Sequence, residues 1–67
     1  MDRDRMIEVI IERWSGPDGV TFRWSVWRDG RRVEMGGPYG TAEASEQDAI
    51  AFCRGALGRE PDRITRL

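Results

Sequence analysis

The segment from Val20 to Met35 contains an Asp29–Gly30 pair between two runs of alternating apolar and polar residues. Such a pair favours a two-residue hairpin turn, because a type I′ turn needs a positive φ at both central positions. The alternation then predicts two antiparallel strands in which Arg28 faces Arg31 and the following residues pair one for one. This hairpin divides the predicted sheet into two faces of different character.

The predicted register sorts the side chains of the hairpin by polarity. One face, the expected core, receives Phe22, Trp24, Val26, Val33 and Met35. The other face receives Arg23, Ser25, Trp27, Arg32 and Glu34. Because successive side chains of a strand point to opposite faces, the second set is expected to meet solvent or a partner.

The run from Ile7 to Trp14 predicts the first strand, because it is rich in β-branched residues at alternate positions. The turn-forming residues 15–19 follow it. Pairing Trp14 with Thr21 places the residues of both strands that are expected in the core on the same side of the sheet. The sequence therefore predicts a meander of three antiparallel strands, with Ile10 on the second face beside Trp14.

The glycine-rich residues 36–40 are expected to end the third strand and to precede a helix. Two helix starts compete, with either Thr41 or Ser45 as the N-cap. Helical spacing predicts one apolar side, and Gly58 predicts the end of the helix. The residues expected on that apolar side are Ala49, Ile50, Phe52, Cys53, Ala56 and Leu57.

Pro61 bars continuation of the helix. Residues 64–67 form either a fourth strand parallel to the first or a short turn under the helix, and the strand is favoured. The expected fold is a single α+β domain over residues 1–67, with a three-stranded antiparallel β-meander and one helix packed on one face. Residues 1–5 alternate in charge and are expected to fray.

A chain of 67 residues has a modest core, so self-association is an expected source of further stability. The single cysteine excludes an internal disulfide and gives no zinc-binding spacing. The sequence shows neither a signal peptide nor an apolar run long enough to cross a membrane. A cytoplasmic location is therefore expected.

Catalysis is not expected, because the chain has no histidine to activate the lone cysteine. Cys53 lies on the predicted buried side of the helix, as a core residue does. No cluster of residues suggests a metal site, and no cofactor or small-molecule substrate is expected. Residues 36–40 precede a helix, as phosphate-binding loops do, but a loop that crosses over the sheet is favoured.

Three short motifs resemble the YegP-like family of small bacterial modules, which often occur as tandem repeats. They are Phe22-Arg23-Trp24-Ser25-Val26, then Asp29-Gly30, then Pro38-Tyr39-Gly40-Thr41 before a helix that contains Ile50. The resemblance covers about residues 20–57. It implies a small domain whose function is not characterised, and this chain differs in its long first strand and single copy.

The β-β-β-α order also resembles the DNA-binding domains of plant AP2 factors and of phage integrase arms. In those families the sheet enters the major groove with arginine and tryptophan side chains on the face away from the helix. Arg23, Trp27 and Arg32 occupy a similar face in this sequence. Glu8, Glu12 and Glu34 on the same face would repel phosphates.

The sequence favours a non-catalytic interaction module that uses the helix-free face of its sheet. Its binding residues are expected to be Ile10, Trp14, Arg23, Trp27, Arg28, Arg31 and Arg32. A protein partner or a second copy of the chain is expected ahead of nucleic acid, because the net charge is −1. The alternative is a nucleic-acid-binding sheet, since residues 13–33 hold five arginines against two aspartates.

Overall fold

A computed structural model describes residues 6–67 of the chain. The elements in chain order are β1 (Ile7–Gly16), β2 (Gly19–Arg28), β3 (Arg31–Tyr39), α1 (Ala42–Phe52), a π-helical turn (Cys53–Leu57) and β4 (Arg63–Arg66). The first three strands form an antiparallel meander, and β4 pairs parallel to β1, giving the sheet order β3-β2-β1-β4. The predicted α+β architecture and the C-terminal strand are confirmed. The expectation for residues 1–5 lies outside the described residues.

The β1–β2 hairpin has the predicted register. Trp14 pairs with Thr21 and Ile11 pairs with Trp24, so the core-phase residues of both strands share a face. β1 extends two residues beyond its predicted end, because Gly16 pairs with Gly19. The turn therefore consists of Pro17 and Asp18 alone.

The β2–β3 hairpin begins as predicted and then departs from the predicted register. Asp29 and Gly30 have φ of 56° and 78°, as a type I′ turn requires. Arg28 pairs with Arg31 as expected, but Val26 pairs with Glu34 instead of Val33. Val33 is thus the extra residue of a β-bulge, and it shifts the pairing by one position as far as Gly36. A second register shift follows between Gly36 and Tyr39.

The packing of Trp24 explains why the shifted register is stable. Trp24 pairs with Gly36, where an added Cβ would lie 2.6 Å from the indole atom Cε2. The indole therefore covers Gly36, and no larger residue fits beneath it. The prediction that Val33 and Met35 belong to the core is wrong, since 44% and 50% of their surfaces are exposed.

The strand β3 also continues where the sequence predicted its end. Residues 36–39 belong to β3, and Tyr39 pairs with Phe22 on β2. The connection to the helix is therefore very short, comprising Gly40 and Thr41. Residues 36–40 do not form the crossing loop that the sequence predicted, because residues 36–39 belong to β3 and its ends there, Gly36 and Tyr39, pair with β2.

Helix α1 begins at the earlier of the two predicted starts. The Thr41 hydroxyl accepts a hydrogen bond from the Ala44 backbone N–H at 3.0 Å, while Ser45 is fully buried one turn further on. The helix ends at Gly58 with a φ of 72°, as predicted. Ala56 is exposed, contrary to the prediction. It lies in the π-helical turn, which rotates less per residue than an α-helix and so changes the face that later residues occupy.

The core lies between the sheet and α1. The buried apolar residues are Ile7, Val9, Ile11, Trp24, Val26, Ala49 and Cys53. Phe52 packs on Trp24 with ring centroids 5.7 Å apart. Helix α1 therefore covers one face of the sheet, and within residues 6–67 no helix or strand packs on the other face.

Asp48 connects the helix to two strands. Its Oδ2 accepts a hydrogen bond from Trp24 Nε1 at 3.0 Å and another from the Tyr39 hydroxyl. The hydrogen bond to Asp48, together with partial burial, raises the pKa of Tyr39 above its ordinary value of 10.0. The protonated phenol is the form that donates this hydrogen bond.

The Tyr39 phenol is therefore expected to ionise at a higher pH in the folded chain than in the unfolded chain. The folded state then holds this proton more tightly, so its contribution to stability is complete below pH 10.0 and is lost as pH rises through the raised pKa. Because Tyr39 is the sole tyrosine, absorbance of the tyrosinate form measures this ionisation directly. Asp48→Ala should lower the pKa of Tyr39 toward its ordinary value, and an unchanged titration in that variant would contradict the assignment.

The C-terminal residues attach β4 to the start of β1. The Ile7 backbone N–H donates to Asp62 Oδ2 at 2.8 Å, and the Asp62 N–H donates back to the Ile7 carbonyl at 2.8 Å. At the other end of β4, the Leu67 N–H donates to the Ile11 carbonyl at 2.9 Å. Both ends of β4 are thus fixed to β1 by backbone hydrogen bonds.

Candidate interaction surface

The face of the sheet opposite α1, the helix-free face, is defined by the strand registers. Residues that alternate with the buried core residues lie on it, and cross-strand partners share it. Its members are Glu8, Ile10, Glu12, Trp14, Thr21, Arg23, Ser25, Trp27, Arg32, Met35, Arg63 and Thr65. Of the residues predicted to bind a partner, Ile10, Trp14, Arg23, Trp27 and Arg32 are brought together on this face.

Trp27 lies half-buried near the β2–β3 turn. Its indole Nε1 donates a hydrogen bond to Ser25 Oγ at 2.8 Å, so the ring is directed along its own strand. Trp27 and Ile10 line a cavity of about 370 Å³ together with Met6, Glu8, Asp29 and Gly30. The ring is therefore fixed by a hydrogen bond and still forms part of an open surface.

Trp14 lies at the other end of the helix-free face, with 51% of its surface exposed. The guanidinium carbon of Arg23 lies 5.1 Å from the centroid of its ring, which is a cation–π contact. Glu12 pairs with Arg23 in the register as predicted, but in residues 6–67 the two side chains form no ion pair. Arg23 is thus held by an aromatic ring instead of a carboxylate.

The bulge exchanges two residues between the faces of β3. Met35 pairs with Ser25 and so joins the helix-free face, where half of its surface is exposed. Glu34 pairs with Val26 and leaves the helix-free face, and its Oε1 accepts a hydrogen bond from the Met35 N–H at 3.2 Å. The prediction that Glu34 shares a face with Trp27 is therefore wrong. A signal was present in the sequence, since a glycine opposite Trp24 gives its indole more room than Met35 does.

The predicted arginines divide into two groups. Arg32 pairs with Trp27 on the helix-free face. Arg28 pairs with the core residue Ile7 on one side and with Arg31 on the other. Arg28 and Arg31 therefore lie on the same face of the sheet as the core and not on the helix-free face. The grouping of Arg28 and Arg31 with the sheet-face residues is therefore wrong, because it ignored the alternation of side chains. They lie exposed at the β2–β3 turn beside Asp29 and Val33.

The charges on the helix-free face nearly balance. The face carries three positive charges, from Arg23, Arg32 and Arg63, and two negative charges, from Glu8 and Glu12. Glu8 also accepts a hydrogen bond from the Thr65 hydroxyl at 3.1 Å, so its carboxylate is partly engaged. With Glu34 removed, the face carries two glutamates instead of the three expected.

The single cysteine of the chain lies in the core. Cys53 is buried under α1, and burial raises the pKa of its thiol, which disfavours the reactive thiolate. Within residues 6–67, no three His, Cys, Asp or Glu side chains lie close enough together to hold a metal ion. In the same residues, none of the helical structure has the length and apolar character to cross a membrane.

Comparison of the chain with protein-family models, with curated proteins and with solved structures finds no match in any of the three. The case for a function therefore depends on the helix-free face itself. That face combines exposed aromatic and apolar side chains with arginines, and no described element covers it.

Proposed function

We propose that the chain is a non-catalytic interaction module whose helix-free face binds a protein partner or a second copy of the chain. The observation that supports this most directly is the apolar content of the face. Ile10, Trp14, Trp27 and Met35 lie on it, and Trp14 and Met35 each expose about half of their surface. Exposed apolar surface of this kind, bordered by polar residues, is typical of interaction sites.

The residue types also favour a protein partner. Tryptophan, methionine and arginine are enriched at protein interfaces, and tryptophan and arginine dominate binding hot spots. Trp27 is fixed by its hydrogen bond to Ser25, and Trp14 carries the Arg23 guanidinium. Side chains that are already ordered lose less conformational entropy on binding, which favours affinity.

The alternative is a nucleic-acid-binding sheet of the AP2 or integrase-arm type. Its specific support is the group of exposed arginines at the β2–β3 turn, Arg28, Arg31 and Arg32, which form no ion pair in residues 6–67. These arginines would contact phosphates while Trp27 stacks on a base. The near balance of charge on the helix-free face ranks this alternative second, because affinity for a phosphate backbone depends on an excess of cations.

Sedimentation of the purified chain at low and high salt tests the proposal. We expect concentration-dependent association that persists at high salt, because apolar contacts are not screened. Trp27→Ala should weaken it by about tenfold or more, as truncation of a hot-spot tryptophan costs at least about 1.4 kcal/mol. Gln47→Ala is the matched control, since Gln47 is exposed on α1 and should leave association unchanged.

A heterologous partner is tested by a photo-crosslinking residue at Met35, with the same residue at Gln47 as the control. A defined protein adduct from position 35 that is absent from position 47 and from Trp27→Ala supports the proposal. Association that is absent in both experiments contradicts it. Salt-sensitive binding to a DNA duplex or an RNA strand, lost in Arg32→Ala, would replace it with the nucleic-acid alternative.

A further inference from the structure

Arg23 lies on the helix-free face without an anionic partner. In residues 6–67 no carboxylate forms an ion pair with its guanidinium. Its Nε is buried and makes no hydrogen bond within the same residues. Charged groups that are partly removed from water are usually paired, because the loss of hydration is otherwise uncompensated. The unpaired state of Arg23 therefore calls for a physical reason.

The Arg23 side chain is held at both ends. A Cβ added at Gly37 would lie 3.2 Å from Arg23 Cγ, so the stem packs against a stretch of backbone that carries no side chain. The guanidinium end lies over the Trp14 ring at 5.1 Å. Because the side chain is already ordered, little rotamer freedom is lost when its remaining N–H donors bind a ligand.

Arg23 lines a cavity of about 240 Å³. Trp14, Ser15, Thr21 and Pro38 line it together with Arg23 and the turn residues 16–19. Its volume is below the roughly 300–1,000 Å³ of sites that enclose small molecules. The cavity therefore suits one side-chain group of a larger partner better than a free metabolite.

We propose that Arg23 is a carboxylate-binding site, which accepts an aspartate or glutamate side chain of the protein bound by the helix-free face. The inference depends on the proposed function and names the group that the partner supplies. The planar guanidinium matches a carboxylate with parallel hydrogen bonds. Thr21 shares the helix-free face with Arg23 and lines the same cavity, so its hydroxyl can donate to the same anion.

Nearby charges favour a single carboxylate over the phosphates of a nucleic acid. Asp18 lines the cavity, and Glu12 is the cross-strand partner of Arg23. A strand of nucleic acid would bring further phosphates toward these carboxylates, and each would be repelled. An isolated acidic side chain brings only one negative charge near Asp18 and Glu12, so it is repelled less than a run of phosphates.

The test adds two amino-acid derivatives with blocked termini to the intact chain, N-acetylglutamate N-methylamide and its glutamine analogue. The two probes differ only in whether the side chain carries a carboxylate or an amide. NMR should show saturable shifts of the Trp14 indole N–H and the Arg23 Nε–H with the glutamate probe and none with the glutamine probe. Arg23→Gln should abolish these shifts, and Arg23→Lys should weaken binding by about tenfold, because lysine keeps the charge and loses the planar fork. Arg13→Gln is the matched control, because Arg13 is exposed and pairs with Phe22 on the opposite side of the sheet, and it should bind the probe normally.

Equal binding of both probes, or binding that survives Arg23→Gln, would overturn the inference. So would tighter binding of inorganic phosphate than of the glutamate probe. The result also separates this inference from the proposed function. If Trp27→Ala abolishes association but no probe binds, the carboxylate site is wrong and the interaction face is supported. If the glutamate probe binds but Trp27→Ala does not change association, the carboxylate site is supported and the proposed interaction face is wrong.

Discussion

Val26→Ala is expected to remove about half of the stability of the fold, whereas Val33→Ala should change it by a few tenths of a kcal/mol. Val26 is fully buried and 44% of Val33 is exposed. Removing two methyl groups from the core costs about 1.6 kcal/mol of transfer free energy, and the cavity left behind raises this to about 2–3 kcal/mol. A domain of this size gains only about 3–5 kcal/mol from its core. Urea unfolding followed by tryptophan fluorescence measures both variants.

The two substitutions remove the same atoms, so each is the control for the other. Their difference reports where the bulge lies, because a sheet without the bulge would pair Val26 with Val33 and bury both. Equal losses of stability in the two variants would therefore show that the register between β2 and β3 is continuous.

Gly36→Ala is expected to destabilise the fold by about 2–4 kcal/mol. The new Cβ would lie 2.6 Å from the Trp24 atoms Cε2 and Cζ2, a distance at which the indole must move. Overpacking of this kind costs about 1–3 kcal/mol, and the hydrogen bond from Trp24 Nε1 to Asp48 would add about 1 kcal/mol if broken. Urea unfolding gives the stability, and the chemical shift of the Trp24 indole N–H reports the hydrogen bond.

Gly40→Ala is the matched control for this substitution. Gly40 follows β3 directly, and a Cβ added there would meet no atom within 4 Å. The free energy of unfolding of the Gly40→Ala variant should stay within about 0.5 kcal/mol of that of the original chain. If Gly36→Ala proves as stable as Gly40→Ala, the indole of Trp24 does not cover Gly36.

Local turn chemistry explains which parts of the fold the sequence predicts correctly. The Asp29–Gly30 turn and the β1–β2 register follow from short-range rules that the neighbouring strands reinforce. The choice between Thr41 and Ser45 as N-cap does not follow from such rules, because both residues have a suitable hydroxyl. In the folded chain the Thr41 hydroxyl caps the helix while Ser45 is fully buried, and that burial depends on the tertiary fold.

The bulge explains most of what the sequence did not predict. Alternation assumes one residue opposite one residue, and Val33 adds an extra residue that the polarity pattern does not reveal. The fit of the Trp24 indole over Gly36 favours the shift, and although the glycine is visible in the sequence, the position of the indole above it is not. The bulge moves Met35 onto the helix-free face and Glu34 away from it.

The candidate surface was therefore predicted in part. Ile10, Trp14, Arg23, Trp27 and Arg32 follow from alternation near well-defined turns. Met35 was missed because it lies beyond the bulge. The unpaired state of Arg23 depends on the positions of Trp14 and Gly37, which no sequence pattern reports.

The attachment of β4 to β1 has a consequence for how the fold is completed during synthesis. Asp62 and Ile7 are 55 positions apart in the sequence. Their hydrogen bonds therefore form only after residue 62 has left the ribosome. The meander and α1 are available earlier, with the outer edge of β1 still lacking β4. A nascent chain therefore leaves the outer edge of β1 open to pairing with neighbouring chains until β4 covers that edge.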